Sequence, residues 1–116
     1  MRSAEEQKFL EVLWQQCPKV KRAYELAQEF VQIVRRRESS SLNNWILQTH
    51  QPEVPHELRV FAGGLRRDFE AVKAALSFEW SNGQLEGQIN RLKLIKRQMY
   101  GRAGFELLRR RVLNTG

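Results

Sequence analysis

The chain has 116 residues with one cysteine, three prolines and a single aspartate, Asp68. Cys17 alone cannot form an intramolecular disulfide, so nothing implies an oxidising compartment. No run approaches the roughly 20 apolar residues of a membrane span. The start, Met1-Arg2-Ser3-Ala4-Glu5-Glu6, is polar and acidic where a signal peptide needs a basic and then an apolar run. These absences lead us to expect a cytoplasmic protein with no membrane partner. Seven glycines are too few for a low-complexity coil, and 41% hydrophobic with 28% charged residues is the composition of a folding chain. At 13.7 kDa the chain can make one domain and not a tandem of domains.

Charge of one sign is in excess, and its placement matters more than its total. The net charge is +7 and the sequence pI is near 10.2. From Ser81 onward the bases are Arg91, Lys93, Lys96, Arg97, Arg102, Arg109, Arg110 and Arg111, against only Glu86 and Glu106. The preceding residues are nearly balanced. A basic final third suits a phosphate backbone as partner.

Apolar residues recur at helical spacing almost throughout. Ser3 and Glu6 form a capping box for a first helix carrying Phe9, Leu10, Val12, Leu13 and Trp14. Pro18 suits the first turn of a second helix, expected to reach Glu38 on Val20, Ala23, Tyr24, Ala27, Phe30, Val31 and Val34. Ser39-Ser40-Ser41 reads as a loop or cap before a short helix around Trp45. A single helix is expected from Pro55 through Leu76, with Gly63-Gly64 marking either a close approach or a break. Phe78-Glu79-Trp80 would be a short extended piece. Ser81 and Gln84 form a second capping box, and the next helix should run from Asn82 to Met99 and stop at Gly101, with a separate terminal helix over Phe105 to Leu113. There is no internal repeat and no strand–helix alternation, so the class is all-α.

On the Asn82–Met99 helix, Leu85, Ile89, Leu92, Ile95 and Met99 share one stripe, the expected core face. Beside it Glu86, Asn90, Lys93 and Arg97 fall within a strip about 60° wide at 3.6 residues per turn. One carboxylate is followed by an amide and two cations, and Gly87 leaves room for another backbone. Periodicity alone makes this a solvated face with helical charge pairing.

The residue string adds to that reading. The segment Ser81-Asn82-Gly83-Gln84-Leu85-Glu86-Gly87-Gln88-Ile89-Asn90-Arg91-Leu92-Lys93-Leu94-Ile95-Lys96-Arg97-Gln98-Met99-Tyr100-Gly101 closely resembles the last catalytic helix of DDE-class insertion-sequence transposases of the ISL-three group. The resemblance rests on Asn82, Glu86, Gly87, Asn90, Lys93, Lys96, Arg97 and Gly101. It extends to the Cys17-Pro18 helix start, the Trp45 segment, Phe61-Ala62 and the Phe105–Leu113 run. It implies that residues 1–78 form a helical insertion region of an RNase H-like domain, and that 79–116 hold its last catalytic helix and a terminal helix, without the sheet. It further implies that Glu86 is the third acid of the Asp-Asp-Glu triad and a ligand of catalytic Mg²⁺, in an enzyme that cleaves and joins phosphodiesters. DNA contacts, mainly to the backbone of transposon ends and target, are then expected from Asn90, Lys93, Lys96, Arg97, Arg102, Arg109, Arg110 and Arg111. A bacterial, nucleoid-associated location follows from the same resemblance.

The lack of aspartate cuts against a complete site. Asp68 stands in the insertion-like region, whereas the family's two aspartates lie on strands upstream of it, so the triad cannot be completed from these residues. The expectation is a C-terminal transposase fragment, inactive alone and with no tightly bound metal. The alternatives are a small non-enzymatic helical DNA-binding or transposition-interfering protein, and a helical interaction module whose charge is incidental. Self-association and association with intact transposase are the protein partners expected. Without a sheet to cover it, the Leu85–Met99 face should be under-buried unless it packs on the insertion helices or on a second copy. His50 and His56 have no zinc-site spacing. Cys17 reads as a half-buried cap, the tryptophans as core, and Ser41 and Ser81 as caps rather than nucleophiles.

Overall fold

The computed structural model describes residues 4–78 and 82–115, without the side chains of 6, 10, 82 and 111–115. Six helices follow one another: α1 (Ala4–Gln16), α2 (Pro18–Arg36), α3 (Ser39–Gln48), α4 (His56–Arg67), α5 (Phe69–Ser77) and α6 (Asn82–Thr115). No strand occurs among the described residues, so the all-α expectation holds. Both expected capping boxes, and Glu79-Trp80, involve positions outside the described residues or side chains. Phe78 is extended, with φ −117° and ψ 124°.

The core forms where the apolar faces of α2 to α6 converge. α2 contributes Ala23, Leu26, Ala27, Phe30, Ile33 and Val34. Phe30, Trp45 and Phe61, from three different helices, make mutual ring contacts with centroids 5.0, 5.4 and 6.1 Å apart. The Trp45 indole N–H donates to the Leu26 carbonyl at 2.8 Å, so the largest core side chain buries no unpaired donor. A second cluster joins Leu13 of α1, Val20 of α2 and Ala103 of α6, with Trp14, Cys17, Tyr100 and Leu107 half-buried around it. Trp45 is therefore core and Trp14 partly so. Cys17 takes the N-cap position of α2, half-buried, without a side-chain capping bond.

Several boundaries differ from the expected ones. α2 ends at Arg36 because Arg37 turns left-handed, φ 54° and ψ 42°. Its N–H reaches Val34 O at 3.2 Å and the N–H of Glu38 reaches Ile33 O at 3.0 Å, the paired bonds of a Schellman ending. Ser39-Ser40-Ser41 is the first turn of α3 rather than a loop, and the Ser41 hydroxyl donates to Glu38 Oε2 at 3.2 Å. The expected single helix from Pro55 to Leu76 is two helices, and the break falls at Asp68, not at the glycines. That bend lets both α4 and α5 pack on α3. Gly64 marks a close approach, of a side chain rather than a backbone: a Cβ there would lie 3.1 Å from the Arg91 guanidinium.

The largest difference is at Gly101. α6 continues through it for 34 residues, about 51 Å at 1.5 Å per residue. A glycine inside a helix costs about 1 kcal/mol relative to alanine. Beyond it Ala103 is buried and Leu107 half-buried in the cluster with Leu13 and Val20, and full burial of a large apolar side chain such as leucine contributes about 1.5–3 kcal/mol. Packing therefore outweighs the local preference and carries the helix on. The Leu85–Met99 face is covered by the chain's own helices: Leu85, Leu92 and Met99 are buried and Ile89 and Ile95 half-buried against the main core.

Candidate functional site

α6 runs along the whole helical body, and its two sides differ. The inner side is locked into the core. On the outer side Glu86, Asn90, Lys93 and Arg97 are all exposed, and none of their side chains bonds or pairs with another described residue. Gly87 has open space where a Cβ would stand, so a second chain can approach the helix backbone beside Glu86. The arrangement presents one carboxylate near the helix start and two cations about two to three turns on.

The other expected contact residues divide by what the fold does with them. Arg109 and Arg110 are exposed on the distal part of α6. Lys96 is half-buried, its ammonium 5.9 Å from the Tyr24 ring centroid, a cation–π geometry. The Arg102 guanidinium pairs with Glu57 Oε1 and ties distal α6 to the start of α4. The side chain of Arg111 lies outside the described ones. Of the expected cations, Lys93 and Arg97 in the middle of the helix and Arg109 and Arg110 towards its end are thus available, while Lys96 and Arg102 are engaged by the fold.

Two arginines have roles that residue spacing did not reveal. Arg91 sits with its guanidinium carbon 5.9 Å from the Phe61 ring centroid and against Gly64, which binds α6 to α4. Arg37 donates to the carbonyls of Ala75 and Phe78, so it holds the chain just before α6. Both bonds span about forty residues of sequence, and no local pattern announces them.

The donor set is poor for a metal. Among the described residues no group of three or more His, Cys, Asp or Glu side chains comes together. Asp68 is exposed at the α4–α5 junction, and His50 and His56 are exposed. Mg²⁺ wants oxygen ligands in near-ideal octahedral geometry, usually more than one carboxylate in a two-ion site. Glu86 with these neighbours does not fit such a centre by itself.

A family model described as a transposase, of the DDE class and ISL-three group, matches residues 1–112. No curated protein and no solved structure matches the chain.

Proposed function

Because the chain belongs to the ISL-three group of DDE transposases, we propose that it supplies the C-terminal helical part of such a catalytic domain, with Glu86 as the third acidic residue. The observation that carries this reading is the exposed strip of Glu86, Asn90, Lys93 and Arg97, which stands clear of the chain's own core. A carboxylate that must share metal ions with two others has to face outward from its helix, towards the element bearing them. Gly87 beside it admits that element closely.

Alone, the chain is inactive in phosphodiester cleavage, since it has one aspartate and, among the described residues, no cluster of carboxylates to hold two ions. Mg²⁺ belongs to the completed site and not to these helices by themselves. Lys93, Arg97, Arg109 and Arg110 contact phosphates of transposon-end or target DNA, with Asn90 beside them, which gives affinity with little sequence preference. Supercoiled plasmid incubated with the chain and Mg²⁺ or Mn²⁺ tests the inactivity. No nicking is expected from wild type or Glu86→Ala, and nicking by wild type that disappears in the variant overturns it.

The closed helical core favours a second reading, a non-enzymatic DNA-binding protein that interferes with transposition. Twenty buried residues form one cluster across α2 to α6, so these helices cover one another's apolar faces within the chain. Inhibition of an intact family member by the added chain, undiminished by Glu86→Ala, would support this reading over the first.

A further inference from the structure

The outward face of α6 is a helix side with no occupant among the described residues of its own chain. Leu94 lies about 180° around the helix from Leu85 and is 54% exposed. Along the same line Gly83, Gly87 and Gly101 are exposed, and a Cβ at any of them would meet nothing within 4 Å. One flank of this line is the strip Glu86, Asn90, Lys93 and Arg97, with its acid at the N-terminal end and its bases at the C-terminal end.

That polarity is self-complementary in one orientation only. A parallel copy would set Glu86 against Glu86 and Arg97 against Arg97. We propose that α6 pairs with α6 of a second copy of this chain, antiparallel, about a two-fold axis that passes between the two helices at the level of Arg91 and Leu92. A two-fold axis perpendicular to both helices keeps each flank facing itself, reversed. Glu86 and Arg97 are equidistant from the axis, so each Glu86 meets the second copy's Arg97. Asn90 and Lys93 are equidistant as well and meet in the same way. Leu94 falls between the second copy's Gly87 and Asn90, where the missing Cβ leaves it space, and Gly83 approaches the second copy's Gly101. On the other flank Gln84 and Gln98 come together, while the guanidinium of Arg91 is drawn over Phe61.

Charge complementarity selects this occupant, and the proposal does not rest on the transposase reading. The pairing occupies Glu86, Gly87, Lys93 and Arg97, so self-association excludes both phosphate binding through the two cations and the completion of a site at Glu86 by acids from elsewhere.

Sedimentation velocity of the full chain over a concentration series tests it. A reversible dimer is expected, and Leu94→Lys should shift it to monomer, with helicity by circular dichroism unchanged because the residue is exposed. Glu86→Arg and Arg97→Glu should each weaken the dimer about tenfold or more by juxtaposing like charges. The double variant Glu86→Arg with Arg97→Glu should restore it. A monomer at every concentration overturns the proposal. So does a dimer indifferent to Leu94→Lys, which would point to another surface, such as the apolar groove lined by Phe9, Val12 and Leu108. A double variant no tighter than the single ones overturns the antiparallel register.

Discussion

The guanidinium of Arg37 donates to the carbonyl of Phe78 at 2.7 Å, across 41 positions of sequence. The same nitrogen reaches Ala75 O at 3.2 Å, so one side chain closes the end of α2 onto the end of α5. Arg37 does this from a left-handed backbone, φ 54°, which costs a non-glycine residue about 1–2 kcal/mol. Arg37→Ala keeps that cost and loses both bonds, so urea unfolding should show a loss of about 1–2 kcal/mol. Arg37→Gly loses the bonds and relieves the backbone, so its loss should be smaller. Equal losses would mean that the backbone conformation carries no cost here.

Gly101 and Gly104 test the continuity of α6. Space is open at Gly101, so Gly101→Ala should raise stability by about 1 kcal/mol through helix propensity alone. At Gly104 a Cβ would lie 3.0 Å from Phe9, so Gly104→Ala should gain less or lose. Thermal unfolding of the two variants measures the difference. A clear loss at Gly101 would indicate a helix end there.

Two tryptophans should respond differently to phenylalanine. Trp45→Phe removes the indole N–H that bonds Leu26 O from a 2% exposed site, and should cost about 1–3 kcal/mol. The indole N–H of Trp14 is buried without a hydrogen-bond partner, so Trp14→Phe should be nearly neutral or stabilising. Denaturant midpoints compared at constant m-value separate the two.

The proposed DNA binding should be mostly electrostatic. Affinity for duplex should fall steeply with salt, and replacing Arg109, Arg110 and Arg111 by alanine should flatten the slope by about 0.9 for each phosphate no longer neutralised. Arg97→Ala should flatten it more than Arg102→Ala, because Arg102 is already engaged by Glu57. An unchanged slope in the triple variant would leave the distal arginines as a solvated face.

The apolar stripes are legible in the sequence because burial imposes them at a regular period. Leu85, Leu92 and Met99 lie where the wheel puts them, as do Ala23, Ala27, Phe30 and Val34. Helix ends are less legible. Gly101 carries a local stop signal that the packing of Ala103 and Leu107 overrides, and Asp68 carries no strong signal yet ends α4, where the bend lets both α4 and α5 pack on α3. The outward strip is visible as a spacing, and the structure places its four residues together on one exposed flank. Which cations are available is not visible in the sequence, since the partners of Arg91 and Arg102 lie about thirty and forty-five positions away in Phe61 and Glu57.

The most direct test is whether Glu86 completes a site whose other acids come from elsewhere. The full chain would be mixed with the aspartate-bearing upstream part of an ISL-three group transposase, and Mg²⁺-dependent cleavage of a supercoiled plasmid carrying its transposon ends followed on gels. We predict cleavage in the mixture, none from either part alone, and none when the chain carries Glu86→Ala. Cleavage in the mixture that is unchanged by Glu86→Ala would contradict the role assigned to this residue.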